Sequence, residues 1–186
     1  MYSARHLRVL TVCGGNTCRS PALSLLLAAE LRRRGHENVE VLSAGANERL
    51  ATNPRYAGPM NAFAIEALRE IFAALKFDDL VDRAHEHTSH GLSKFRGEHF
   101  ELIAFVDRRY FGKQRGWKIT AGSTSVRWVP DRAYGVWKAN KEPTVISQDS
   151  KSQRVLRAYR KQTAWLSRYA ADLASHVEKL LSRIRA

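Results

Sequence analysis

A thiol and a guanidinium stand close together near the start of the chain. In Cys13-Gly14-Gly15-Asn16-Thr17-Cys18-Arg19-Ser20, five residues separate Cys13 from Arg19, and two of them are glycines. Glycine lets the main chain curl with its amides turned inward, and such a nest binds an anion. Arg19 adds two parallel N–H donors suited to a phosphate. The same positive potential favours the thiolate, the nucleophilic form of cysteine. The chemistry this predicts is in-line attack of the Cys13 sulfur on a phosphate ester, followed by hydrolysis of the cysteinyl-phosphate. Gly14, Gly15, Asn16, Thr17, Cys18, Arg19 and Ser20 are the expected phosphate-binding residues, and the Ser20 hydroxyl is placed to donate to the sulfur. Electrostatic stabilisation of the phosphoryl oxygens would supply most of the rate. The leaving group needs a proton, so a carboxylic acid has to reach over from another loop. Two plainer readings compete. One is a tight strand–helix turn with two buried thiols. The other is a Cys-x4-Cys metal pair, which lacks a second ligand pair at a suitable spacing.

The elements around this stretch have to hold it open. Leu7 to Val12 alternates and is rich in β-formers, which predicts a strand running into the loop. Ser20-Pro21 predicts a helix start, with serine as N-cap and proline first in the helix, and Gly35 predicts its end. Val39 to Leu42 predicts a second strand, ending in Ser43-Ala44-Gly45, so the first 45 residues read as a parallel βαβ unit. Residues 46–58 read as loop, Met60 to Leu75 as helix, and Phe100 to Val106 as a buried parallel strand. Ser125 to Val129 predicts a fourth strand. Residues 151–185 lack Gly and Pro and repeat apolar residues at helical spacing. The expected architecture is α/β: one domain over residues 1–186, with a four-stranded parallel sheet and helices on both faces.

Of the 186 residues, 44% are hydrophobic and 26% charged, which suits a globular chain able to bury its own core. Apolar runs are too short to span a bilayer, so no membrane partner is expected. Two cysteines five positions apart exclude a disulfide scaffold. With no signal-like segment at the start, the expected compartment is the cytoplasm. The net charge of +13 is uneven: residues 1–107 are neutral, residues 108–138 hold eight basic side chains and one acidic, and residues 151–186 nine and two. That field favours anionic partners. No recognised nucleic-acid motif accompanies it, so nucleic acid is not the expected partner. His85, His87 and His90 lack nearby ligands at metal spacing, so neither a metal nor a cofactor is expected.

Val12 to Pro21 resembles the signature of the low-molecular-weight protein-tyrosine phosphatase family, Val-Cys-x-Gly-Asn-x-Cys-Arg-Ser-Pro, at every fixed position. Ser43-Ala44-Gly45, the His87 to Leu92 segment, Phe100 to Asp107 and Val129-Pro130-Asp131 resemble further family segments. The resemblance implies that family's four-stranded fold. It implies Cys13 as nucleophile, Arg19 as phosphate clamp and Asp131 as general acid. It implies Asn16, Ser43 and His87 as supporting hydrogen-bond partners, and Cys18 as a second thiol able to trap Cys13 as a reversible disulfide. Asp131 is followed by Arg132-Ala133-Tyr134, which makes Tyr134 and Arg132 the candidates for the substrate rim. The implied function is hydrolysis of phosphate monoesters, with phosphotyrosine in proteins as the leading substrate and a small phosphoester as another. Inorganic phosphate, sulfate or vanadate would occupy the loop. Thr17 resembles the arginine-phosphatase branch of the same superfamily, and an arsenate reductase on this fold, using an external thiol, is a further alternative.

Overall fold

The computed structural model describes residues 7–106, 110, 125–128 and 148–185. Strand β1 (Leu7–Cys13) leads through the cysteine loop into helix α1 (Arg19–Arg33), and β2 (Val39–Gly45) follows. Next come a short helix α2 (Glu48–Thr52), α3 (Ala62–Leu75), α4 (Asp78–Glu86) and a 3-10 helix (Leu92–Phe95). Strands β3 (Leu102–Phe105) and β4 (Ser125–Trp128) and a long helix α5 (Gln148–Arg185) complete the described chain. All pairings are parallel, in the order β2-β1-β3-β4. Strands β1 to β3 lie in the continuously described part; β4 is described without its chain neighbours on either side.

Strand alternation sorts the side chains of the sheet into two layers. Leu7, Val9, Cys13, Val41, Leu102 and Ala104 belong to one apolar cluster, which α1, α3, α4 and α5 fill. Leu10, Val12, Ala44, Ile103 and Phe105 belong to the other. Helices on both faces were expected. Among the described residues, the long helices pack into the first layer, and the second is covered by the 3-10 helix through Leu92 and Phe95, with Phe100 and part of Tyr110. Helix α5 packs on α1 and α3. Arg34, which ends α1, reaches Glu178 on α5 at 2.9 Å and the carbonyl of Ala171 at 3.1 Å.

Two local corrections follow from side-chain chemistry. Helix α1 begins at Arg19 with Cys18 as N-cap, not with Ser20, and makes no side-chain cap bond. Its serine hydroxyl is engaged inside the loop instead. The stretch after β2, expected as loop, contains α2, whose N-cap Asn47 accepts from the Leu50 N–H. Gly35 does end α1: it stands at φ 81°, a left-handed conformation that suits glycine, and its N–H bonds the Arg32 carbonyl.

Candidate active site

The loop between β1 and α1 sits at the carboxyl end of the sheet, where open α/β sheets bind ligands. Five of its carbonyls accept hydrogen bonds from groups outside the bowl or further along α1. Cys13 O accepts from Ala46 N at 2.7 Å, Gly14 O from Asn47 N at 3.0 Å, Thr17 O from Asn61 N at 2.7 Å and Cys18 O from Ala22 N at 3.0 Å. Asn16 O accepts from His87 Nε2 at 2.7 Å, so that ring nitrogen carries the proton. The N–H groups of Gly14, Gly15, Asn16 and Thr17 donate to no acceptor among the described residues. Consecutive amides without acceptors at a helix N-terminus are the kind of arrangement that favours an anion.

Asn16 is the keystone of the curl. It is fully buried at φ 55°, a conformation asparagine tolerates better than most side chains. Its Nδ2 donates to the carbonyls of Ser43 at 3.4 Å and His90 at 3.3 Å, and its Oδ1 faces Ser20 Oγ at 3.0 Å. Ser43 thus meets the loop through its main chain. The buried Ser20 hydroxyl lies 3.1 Å from Cys13 Sγ and 3.2 Å from the Ala44 carbonyl. Cys13 is 3% exposed, at the base of the bowl. Arg19 is half-buried in the first turn of α1.

The wall has members the sequence did not suggest. A Cβ on Gly14 would stand 3.4 Å from the ring and hydroxyl of Tyr110, and one on Gly15 would stand 3.5 Å from Cβ of Leu50. Tyr110 and Leu50 therefore flank the loop residues that follow the sulfur. A Cβ on Gly45 would fall 2.6 Å from Ala51 Cβ and 3.0 Å from Gly14 O, so glycine is required where β2 meets the loop. Gly91 leaves room for the Glu48 carboxylate, which accepts from Ser93 N at 2.7 Å and ties α2 to the 3-10 helix.

Burial pushes the His87 ring below the usual histidine range; the Asn16 carbonyl opposes this and the Lys94 charge adds to it. Burial lowers His90 as well, again with Lys94 contributing. Both rings are thus held neutral near neutral pH. A cavity of about 420 Å³ lies beside the open edge of β2, lined in part by Ser43, His87 and His90; it flanks the loop rather than standing over Cys13. Among the described residues, no three His, Cys, Asp or Glu side chains gather as a metal site, and no helix is long and apolar enough to cross a membrane. The expected acid Asp131 and the rim candidates Arg132 and Tyr134 lie outside the described residues.

Residues 8–115 match the family model of the low molecular weight phosphotyrosine protein phosphatases. The chain belongs to that family. It is accordingly a hydrolase of the protein-phosphatase kind, and the matched region contains the whole loop. No curated protein matches the chain. Among solved structures, it resembles Wzb of Vibrio vulnificus in complex with benzylphosphonate, at 21% identity and a TM-score of 0.53, covering 92% of this chain and 99% of that one. A mutant of YwlE from Bacillus subtilis is similar at 21% identity and a TM-score of 0.56, with the same coverage. A structure of the YwlE arginine phosphatase with a phosphorylated active site serine gives 21% identity, a TM-score of 0.54 and coverage of 93% and 97%. At these identities the likeness is one of fold.

Proposed function

We propose that the chain hydrolyses phosphate monoesters, phosphotyrosine in proteins foremost, through a phosphate covalently held on Cys13. The observation that carries this reading is the inverted polarity of the loop. Five carbonyls of the loop are bonded to other groups, and four consecutive amides have no acceptor among the described residues, in the same loop as the buried Cys13 sulfur. In the first step the Cys13 thiolate attacks phosphorus and the bond to the ester oxygen breaks. Asp131, as a carboxylic acid, gives that oxygen its proton. In the second step water attacks phosphorus, the Asp131 carboxylate takes the water's proton, and the sulfur leaves with the electron pair. Ser20 donates to the departing sulfur, and Arg19 with the loop amides holds the equatorial oxygens throughout.

Asn16, Ser43 and His87 are positioning residues in this scheme: they fix the curl rather than touch the substrate. Arg132 and Tyr134 would form the rim, and the reaction calls for no cofactor or metal. The partners are a phosphorylated protein or a small phosphoester, with phosphate, sulfate or vanadate as loop ligands. The cytoplasm is the proposed compartment. One observation favours a second reading, a protein-arginine phosphatase. The Thr17 hydroxyl lies 3.9 Å from where a Gly15 Cβ would stand, so the loop carries a polar side chain beside Gly15. Arsenate reduction stays a third reading, restricted to an external thiol because the chain has two cysteines.

The test is a panel of an aryl phosphate, a phosphotyrosine peptide and a phosphoarginine peptide, run with the wild type, Cys13→Ser and Asp131→Asn. Preferential turnover of the tyrosine peptide, abolished by Cys13→Ser, supports the proposal. Preference for the arginine peptide moves the substrate to the second reading. Turnover that survives Cys13→Ser refutes the mechanism.

A further inference from the structure

Both cysteines of the chain lie in the phosphate loop. A positive potential that ionises one sulfur acts on the other as well. A second sulfur anion in the loop would repel an incoming phosphate dianion. The two sulfurs, however, meet partners of opposite polarity. Cys13 Sγ lies 3.1 Å from the Ser20 hydroxyl, which can donate. Cys18 Sγ lies 3.4 Å from Oε1 of Gln162, which can only accept, so the thiol is the donor there. A hydrogen bond that the charged form receives favours that form, and one that only the neutral form can make favours the neutral form.

Gln162 comes from α5, 144 residues along the chain, and is 5% exposed. Among the described residues, its Nε2 is the buried side-chain nitrogen or oxygen that lacks a hydrogen-bond partner. Burying an amide with its N–H unpaired opposes folding; what the side chain makes in return is the carbonyl contact to Cys18. The N-cap of α1 fits this picture, because Cys18 occupies a position where side chains usually cap and makes no capping bond.

We infer that Gln162 is a positioning residue of the phosphate loop, whose carbonyl holds Cys18 as a thiol and leaves Cys13 as the one sulfur anion beneath the phosphate. This rests on the phosphatase reading for its purpose, but not for its chemistry. The ionisable neighbours of Cys18 in the loop are Cys13 and Arg19. On α5, Lys161 adjoins Gln162 and is exposed. On α3, which packs on α5, the acids are Glu66 and Glu70, and Glu70 is engaged by Arg160.

The experiment uses the full chain carrying Cys13→Ser, in which Cys18 is the sole thiol. The rate of Cys18 alkylation by iodoacetamide is measured against pH, with Gln162 and with Gln162→Leu or Gln162→Met. Loss of the acceptor is expected to move the midpoint down by about half a pH unit or more. An unmoved midpoint overturns the inference, and an upward shift overturns it too, since the amide would then be donating to the sulfur. Gln162→Asn, which withdraws the carbonyl, gives the same reading if the apolar variants fail to fold. None of these readouts needs turnover, so they stand apart from any failure of the phosphatase reading. With Cys13 restored, Gln162→Leu is expected to weaken sulfate binding several-fold between pH 6 and pH 8, more steeply than in the wild type; equal pH dependence refutes the proposed purpose.

Discussion

Replacing Ser20 with alanine isolates the hydroxyl that links the sulfur to the loop's keystone. The hydroxyl has one proton and three acceptors in reach: Cys13 Sγ at 3.1 Å, Asn16 Oδ1 at 3.0 Å and Ala44 O at 3.2 Å. Once the sulfur carries charge it becomes the strongest of the three. A hydrogen bond to a charged group contributes about 1.5–3 kcal/mol. At about 1.4 kcal/mol per decade, its loss slows a step that depends on it by roughly ten- to a hundredfold. That step is breakdown of the phosphoenzyme, in which the sulfur leaves. Ser20→Ala should therefore lower kcat for an aryl phosphate by that factor and leave a clear pre-steady-state burst of the phenol. Its affinity for sulfate should change little, because the loop amides and Arg19 hold the oxygens. Stability should fall by about 1–3 kcal/mol, since Asn16 Oδ1 loses its partner in a fully buried setting. A kcat within about twofold of the wild type would refute the reasoning, as would a loss confined to sulfate binding.

Gly45→Ala should cost about 1–3 kcal/mol in denaturant unfolding and lower kcat/KM more than tenfold, because the new methyl meets Ala51 and the main chain of Gly14 and Gly15. Unchanged kinetics would show that β2 does not support the loop. His87 and His90 both have depressed values in the fold, so the unfolded chain takes up protons first as pH drops. The stability they contribute is complete above about pH 6.5, the unfolded value, and is lost as pH falls below it. Thermal melts from pH 7.5 to 5 should show this decline, and His87→Gln should flatten it. Leu166→Ala, in the fully buried stripe of α5, should destabilise by about 3 kcal/mol and lower Tm by about 10 °C. A Tm unchanged by that substitution would place α5 outside the cooperative core.

Residues 7–45 were legible because a strand, a glycine-bearing loop and a helix follow one another with strong local signals. Ser20 does not cap the helix for a physical reason: serine is a good cap, but here the buried sulfur, Asn16 and Ala44 compete for the same hydroxyl. Helix α2 is five residues long and leads into Asn53-Pro54, so its sequence looks like a turn. Helix α4 buries only Leu80 and Ala84, too few for a visible period. His87 stood out as a loop histidine, but its partner is a main-chain carbonyl, which no side-chain pattern reports. Leu50, Tyr110 and Gln162 reach the loop from distant elements, and only the folded chain brings them there.

The most direct test of the account is the chemical fate of the phosphate during turnover. The full chain, mixed with an aryl phosphate and quenched in acid within the burst, should yield a Cys13 peptide heavier by one phosphate in the mass spectrum, and the same peptide from Cys13→Ser should show no transient phosphate linked to turnover. Steady hydrolysis with no phosphate on Cys13, or with the phosphate on another residue, would contradict it.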